Sequence, residues 1–373
     1  GWALADMAVH PSGDVTVVLT TARAVRLVRL DRHAAVLSDQ PFLDAQAPSD
    51  PYFAFGSAVK DDEALQPVLT HDAARVAALG ESLALVLRTG RNAVVVYRLD
   101  RTAAGYQLAW RVLVEPGTSI LGLGVTGGTF DVFGQLENHV HVALDVDASG
   151  TLGIGVSERP FFNFAFEAHA AQFGEPITAR HGCLLTRVSG DGHRLGTTVI
   201  DTQQQAELHG VRATPGGFAL VGRVLSEVRA DGGGWDGFVA IVSAAGRAGP
   251  YAVIDVDRGD VLFDIAALPS GRYLAVGATG YTQNPSGASV SEDAQPLLAV
   301  LDAGGAFARR LPFAGGPRHN QLDTIAAHGS TWLVAGMRDG PGTHSGDSDR
   351  ALIRADGFVR EPASDPDLEV PPQ

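Results

Sequence analysis

The stretch Phe263-Asp264-Ile265-Ala266-Ala267-Leu268-Pro269-Ser270-Gly271-Arg272-Tyr273-Leu274-Ala275-Val276-Gly277 reads as two apolar strands joined by a tight turn. Pro269 presets the backbone for a reversal, and Gly271 tolerates conformations that other residues resist. A polar loop, Tyr281 to Gln295, follows. Leu297-Leu298-Ala299-Val300-Leu301-Asp302 then reads as a third strand, Ala303-Gly304-Gly305 as a turn, and Ala306 to Phe313 as a fourth strand. Four short strands in meander order, with turn residues at each reversal, make one blade-like sheet. Such a sheet has two faces to bury and needs neighbours built like itself.

The rest of the chain supplies them. First turns of comparable units begin at Pro11, Gly80, Ser149, Pro215, Pro269 and Gly329, an irregular repeat of roughly 54 to 70 residues. The units run from Leu4 to Leu37, from Ala73 to Val114, from His139 to Ile200, from Leu208 to Ile254, from Phe263 to Phe313 and from Leu322 to Arg360. In the second unit the last reversal is placed at Asp100-Arg101. Long connections cover Gln40 to Thr70 and Glu115 to Glu137, either of which has room for a seventh blade. The expectation is an all-β chain: a β-propeller of six four-stranded blades, with seven possible, forming one domain over residues 1–362. Residues 363–373, rich in Pro and acidic side chains, read as a tail.

Composition agrees and narrows the function. The 373 residues include 45 Gly and 20 Pro, which suits many short strands and tight turns better than long helices. A formal net charge of −14 repels phosphate, and Lys60 is the single lysine, so nucleic acid is not an expected partner. Apolar runs fall short of the ~18 to 20 residues that span a bilayer, so the chain is not expected to cross a membrane. The lone Cys183 has no partner for an internal disulfide and is silent on redox compartment. The first residue is Gly1, which either an excised export signal or a cleaved tag would leave.

The blade signature, an apolar strand, Pro-Ser-Gly or Pro-Gly-Gly, an apolar strand ending in Gly, and then an Asp-x-apolar strand, resembles bacterial extracellular β-propeller repeat proteins. Ala266 to Gly277 and Trp235-Asp236-Gly237-Phe238-Val239-Ala240-Ile241 carry that resemblance, closely in the last three units and loosely in the first three. It implies the fold and a secreted, periplasmic or cell-surface location. It implies no single activity.

The units differ in the gap between second and third strands, which is short in the first two and long in the other four: Ser157 to Gly182, Leu225 to Gly237, Ala278 to Pro296 and Met337 to Arg350. In a propeller these loops and the blade-to-blade connections emerge together, so one face should be elaborated and the other plain. Long loops on a rigid scaffold are where function concentrates. The first of them holds Phe161, Phe162, Phe164, Phe166 and Phe173, which read either as a local mini-core or, with Trp235 in the next loop, as an aromatic docking patch for a protein or glycan.

The other loops are acidic and Gly-rich. Asp231, Asp236, Asp347 and Asp349 are the candidate ligands for Ca²⁺, a hard cation that takes carboxylate and carbonyl oxygens; solvated turns are the competing reading. Asp145-Val146-Asp147-Ala148-Ser149-Gly150 begins like an EF-hand loop but has Val156 where the bidentate Glu belongs. His139, His141 and His209 are candidate channel-facing metal ligands, though such histidines are more often ordinary strand or loop residues. Asp6 and Asp264 occupy matching positions near the starts of innermost strands, with Asp323 one residue out of register. They read as paired carboxylates for a hydrolase or lyase, or as acceptors for backbone N–H groups between blades, the preferred reading. No organic cofactor is implied. Two function classes follow: a non-enzymatic interaction or structural module acting through its looped face, and a propeller hydrolase or lyase with acidic residues at the channel mouth. The first is favoured because no catalytic set recurs at matching positions.

Overall fold

A computed structural model describes residues 2–21, 24–42, 74–88, 94–115, 141–157, 182–204, 206–226, 234–281, 294–313, 319–328 and 331–340. The chain divides into two compact units, Gly1–Gln203 and Gln204–Gln373. In the first, β1 (Ala3–Val9), β2 (Val15–Thr20), β3 (Val25–Leu30) and β4 (Val36–Phe42) form one antiparallel meander. A second is made by β5 (Ala74–Leu79), β6 (Ser82–Arg88), β7 (Val94–Thr102) and β8 (Gly105–Glu115), and a third by β9 (His141–Val146), β10 (Leu152–Ser157), β11 (Gly182–Val188) and β12 (Arg194–Asp201). The second unit repeats the plan with β13 (Ala206–Thr214), β14 (Gly217–Leu225), β15 (Trp235–Ser243) and β16 (Ala252–Ile254), then β17 (Val261–Ala267), β18 (Tyr273–Thr279), β19 (Gln295–Leu301) and β20 (Phe307–Arg310). It ends among the described residues with the hairpin β21 (His319–His328) and β22 (Thr331–Gly340).

The chain is therefore all-β, a succession of propeller blades, with no helix among the described residues. Five sheets have four strands and the last has two; the third strand expected at 351–354 and the tail at 363–373 lie outside the described residues. So do most of the two long connections with room for a seventh blade.

Burial follows sheet position. The first sheet alternates along β2 and β3, as expected where one face meets the core. Sheets flanked on both sides read as continuous apolar runs: β18 is buried along its whole length, and Leu83 to Leu87 of β6 are buried without a break. Val18, Leu27, Leu85 and Tyr97 belong to the core between the first and second sheets, Val96 and Ile154 to that between the second and third. In the second unit Val239, Leu262 and Ala275 lie between its first two sheets, while Leu274, Leu298 and Trp332 close on the last hairpin.

A shared irregularity explains the Gly near the end of the second strand of each sheet in the second unit. The innermost strands β13, β17 and β21 each carry a bulge, between Leu208 and Gly210, Leu262 and Asp264, and Leu322 and Thr324. Two residues before each bulge, a backbone carbonyl stands close to the facing strand. A Cβ on Gly277 would sit 1.9 Å from the Val261 carbonyl oxygen, and Gly222 and Gly336 face Glu207 and Gln321 in the same way. Only glycine fits there.

At two places a named contact moves an element boundary from the expected position. β4 continues to Phe42 because Gln40 is anchored: its side chain donates to the Tyr106 carbonyl (2.8 Å) and accepts from the Tyr106 amide (2.7 Å). The reversal placed at Asp100-Arg101 instead follows Thr102, where Gly105 adopts φ 132° and Asp100 stays in the strand, accepting from Ser82 (2.8 Å) and Arg98 (2.7 Å).

Candidate functional site

In the second unit, the ends of β14 and β18 and the starts of β13, β15, β17, β19 and β21 share one edge. Backbone bonds tie the edge together: Asp260 N–H to the Trp235 carbonyl (2.7 Å), Tyr281 N–H to Gly259 (2.6 Å), and Asn320 N–H to Ala294 (2.8 Å). This is the edge from which the long second-to-third loops and the blade connections leave, as the loop lengths predict.

Trp235 and Asp236 belong to that edge, but not as loop residues. The hairpin base closes through Ser226 N–H to Gly234 (2.9 Å), and Trp235 and Asp236 pair in register with Leu225 and Val224. Both are half-buried and held on a rigid strand. Beneath them Arg223 and Glu207 form a buried ion pair, with side chains 4% and 5% exposed and Arg223 Nη2 2.6 Å from Glu207 Oε2. The guanidinium lies 4.6 Å from the centre of the Trp235 ring and 5.8 Å from that of Tyr281, so the carboxylate fixes a cation against two aromatic faces. Edge-to-face contacts extend the cluster from Tyr281 to Phe263 (6.1 Å) and His319 (5.8 Å), and from Phe263 to His209 (5.3 Å).

Beside Trp235, one oxygen from each of Asp236, Asp255 and Asp260 lies within 4.8 Å of the others, the grouping of three potential metal ligands found among the described residues. Asp236 is half-buried, Asp255 exposed and Asp260 wholly buried. Asp260 Oδ2 accepts the Val256 amide (2.6 Å) and the Asp257 amide (3.1 Å). Burial pushes its carboxyl up to about 6, and the Asp236 charge adds to the rise; the Thr279 hydroxyl and the two amides oppose it.

Of the residues expected to form sites, Phe161, Phe162, Phe164, Phe166, Asp231, Asp347 and Asp349 lie outside the described residues, as does His139. Asp236 is brought together with Asp255 and Asp260, from the connection between β16 and β17. The Asp-x-Asp-x-x-Asp spacing of Asp255, Asp257 and Asp260 is a signal visible in the sequence, and it lies in a blade connection, whereas Asp231, Asp347 and Asp349 belong to second-to-third loops.

The inner-strand acids have structural partners. Asp264 accepts from Arg212 Nε and Nη2 (2.7 Å each), the Thr324 hydroxyl (2.8 Å) and the Ile325 amide (3.0 Å). Asp6 accepts the Val76 amide of the next sheet (2.9 Å). Asp323 is the exposed bulge residue itself, one position before the Thr324 that meets Asp264. The EF-hand-like Asp147 is a turn residue, accepting the amides of Ser149 (2.8 Å) and Thr151 (2.9 Å).

No protein-family model matches the chain, and no curated protein is significantly similar to it. Solved structures are similar at low identity. YCF48 bound to a D1 peptide is 12% identical, with 91% of this chain and 77% of that chain covered and a TM-score of 0.43. The WD40 β-propeller domain of Doa1 is 11% identical, with 91% and 90% covered and a TM-score of 0.39. Sqt1 of Saccharomyces cerevisiae is 10% identical, with 97% and 75% covered and a TM-score of 0.44. Similarity at this level carries no functional argument.

Proposed function

We propose that this chain is an exported, non-enzymatic interaction module that docks a protein partner through the loop-bearing edge of its second unit. The observation that carries the reading is Trp235 and Tyr281, half-buried, gripping an Arg223 that Glu207 holds from below. Rigid aromatic and Arg clusters that lose little entropy on binding are the usual anchors of protein interfaces. The Phe161 to Phe166 loop is proposed to extend the same docking surface. The blade resemblance supports the exported location.

The hydrolase alternative has less support. Asp6 and Asp264 are engaged as acceptors between sheets, and Asp260, the carboxyl with the raised pKa, is 0% exposed and out of a substrate's reach. A general acid must come within hydrogen-bond distance of the group it protonates.

The test is affinity capture from extracellular extract, and a glycan array in parallel, with wild type, Trp235→Ala and the opposite-edge control Ser270→Ala. A protein captured by wild type and control and lost with Trp235→Ala is the expected result. Equal capture by all three overturns the docking edge, binding confined to the array makes the partner a glycan, and turnover of a glycoside panel that Asp260→Asn abolishes makes the chain an enzyme.

A further inference from the structure

We propose that Asp236, Asp255 and Asp260 form a binding site for a hard divalent cation, Ca²⁺, on the second unit. The site does not depend on the docking reading, since an ion held there is bound with or without a partner.

The first argument is geometric. Two oxygens bound to one Ca²⁺ at about 2.3–2.6 Å lie no more than about 5 Å apart, and the three carboxylate oxygens all fall within 4.8 Å of one another. All the donors are oxygen, which suits a hard cation and disfavours the thiolate- and imidazole-seeking metals.

The second argument is independent of the clustering. Asp260 is 0% exposed; its Oδ2 is taken up by two backbone amides, while its Oδ1 is buried without a hydrogen-bond partner. Thr279, 2% exposed, places its hydroxyl against the same carboxyl, one more buried oxygen at the site. Buried polar atoms are normally satisfied, and a bare carboxylate oxygen is among the costliest exceptions. A cation held among the three carboxylates would offset the cost of keeping the Asp260 carboxylate out of water.

The strands and the connection make the site specific to this blade. β15 fixes Asp236 opposite Val224, and the bonds from Asp260 to Trp235, Val256 and Asp257 fold the connection back over it. Exposed Asp255 gives an entry path and leaves room for water to complete the about six to eight ligands that Ca²⁺ takes. Asp231, Asp347 and Asp349, the acids of the long loops, are the rival ligands.

The experiment is calorimetric titration of the full chain with CaCl₂ after chelator dialysis, with elemental analysis of the retained ion. Wild type is expected to bind with a dissociation constant no weaker than about 10⁻³ M, the range of extracellular sites. Asp255→Asn, at an exposed position that leaves the fold intact, and Asp260→Asn should each weaken binding about tenfold or more, while Asp191→Asn in the first unit leaves it unchanged. Absence of binding overturns the proposal, as does binding that both variants retain and Asp231→Asn or Asp349→Asn abolishes. Tighter Mg²⁺ than Ca²⁺ binding overturns the choice of ion.

Discussion

The Asp264 carboxylate accepts the backbone amide of Ile325 at 3.0 Å, so a side chain on β17 satisfies the main chain of the innermost strand in the next sheet. Asp6 and the Val76 amide repeat the relationship in the first unit at 2.9 Å. Both acids stand just after a bulge, which turns the side chain along the sheet stack instead of across its own sheet. Asp264→Ala should cost about 1–3 kcal/mol by leaving a buried N–H bare. Asp264→Asn, which keeps one acceptor oxygen, should cost less, and Asp323→Ala, at the exposed bulge position, should stay within about 0.5 kcal/mol. Urea unfolding of the three variants checks the order.

Gly277→Ala should destabilise by about 1–3 kcal/mol or more, because the new methyl would stand 1.9 Å from the Val261 carbonyl oxygen and 2.9 Å from the Leu262 Cα, neither of which can swing aside. At Gly249 the nearest atom to a new Cβ is 3.9 Å away, so Gly249→Ala should be near neutral. Equal thermal shifts for the two variants would remove the steric account of this glycine.

Glu207→Ala should cost about 3–5 kcal/mol, since it removes the carboxylate bonded to the buried Arg223 guanidinium. The double variant Glu207→Leu, Arg223→Met removes both charges and should recover most of that loss. It should not recover binding, because Trp235 loses the cation packed under its ring. Denaturation midpoints and capture assays on the same proteins separate the two effects.

Acid should weaken the first unit through two groups on one network. Burial lowers the pKa of His10, which lies between Gly80, Thr16 and Tyr106 and faces Arg29, Glu81 and Asp14. The Arg29 guanidinium, helped by Ser12, holds Glu81 down at about 2. Both folded pKa values lie below their unfolded ones, so both contributions are complete above the unfolded pKa and fade as pH falls. His10 begins to lose its contribution below about pH 6.5, and Glu81 loses its own between about pH 4.5 and 2. Melting temperature against pH for wild type and Glu81→Gln should converge toward pH 2. A constant gap between the two curves would discard the Arg29 coupling.

How far the sequence could be read depended on the range of the interaction. Turn chemistry acts within four residues: Asp31, Asp147 and Asp302 each accept amides two and four positions on, and such signals place the hairpins before any fold is known. Apolar runs long enough to be buried on both faces likewise declared a stack of sheets. The structural role of Asp6 and Asp264 was legible too, because two acids at matching places in a repeat are more simply explained by a shared scaffold need than by one catalytic centre.

The ends of strands and the composition of the site depended on tertiary structure. Gln40 belongs to β4 because Tyr106, 66 residues away, fills both its hydrogen bonds. Trp235 was a candidate on its own, but Arg223, Glu207 and Tyr281 carry no local signature; the four come together because successive sheets share an edge. Asp236, Asp255 and Asp260 meet for the same reason. By itself the sequence determined the all-β repeat, its turns and its looped edge, since propensity and periodicity are properties of neighbouring residues. Which acids and which aromatics face one another was decided by sheet register and stacking, which set distances between residues that the chain keeps far apart.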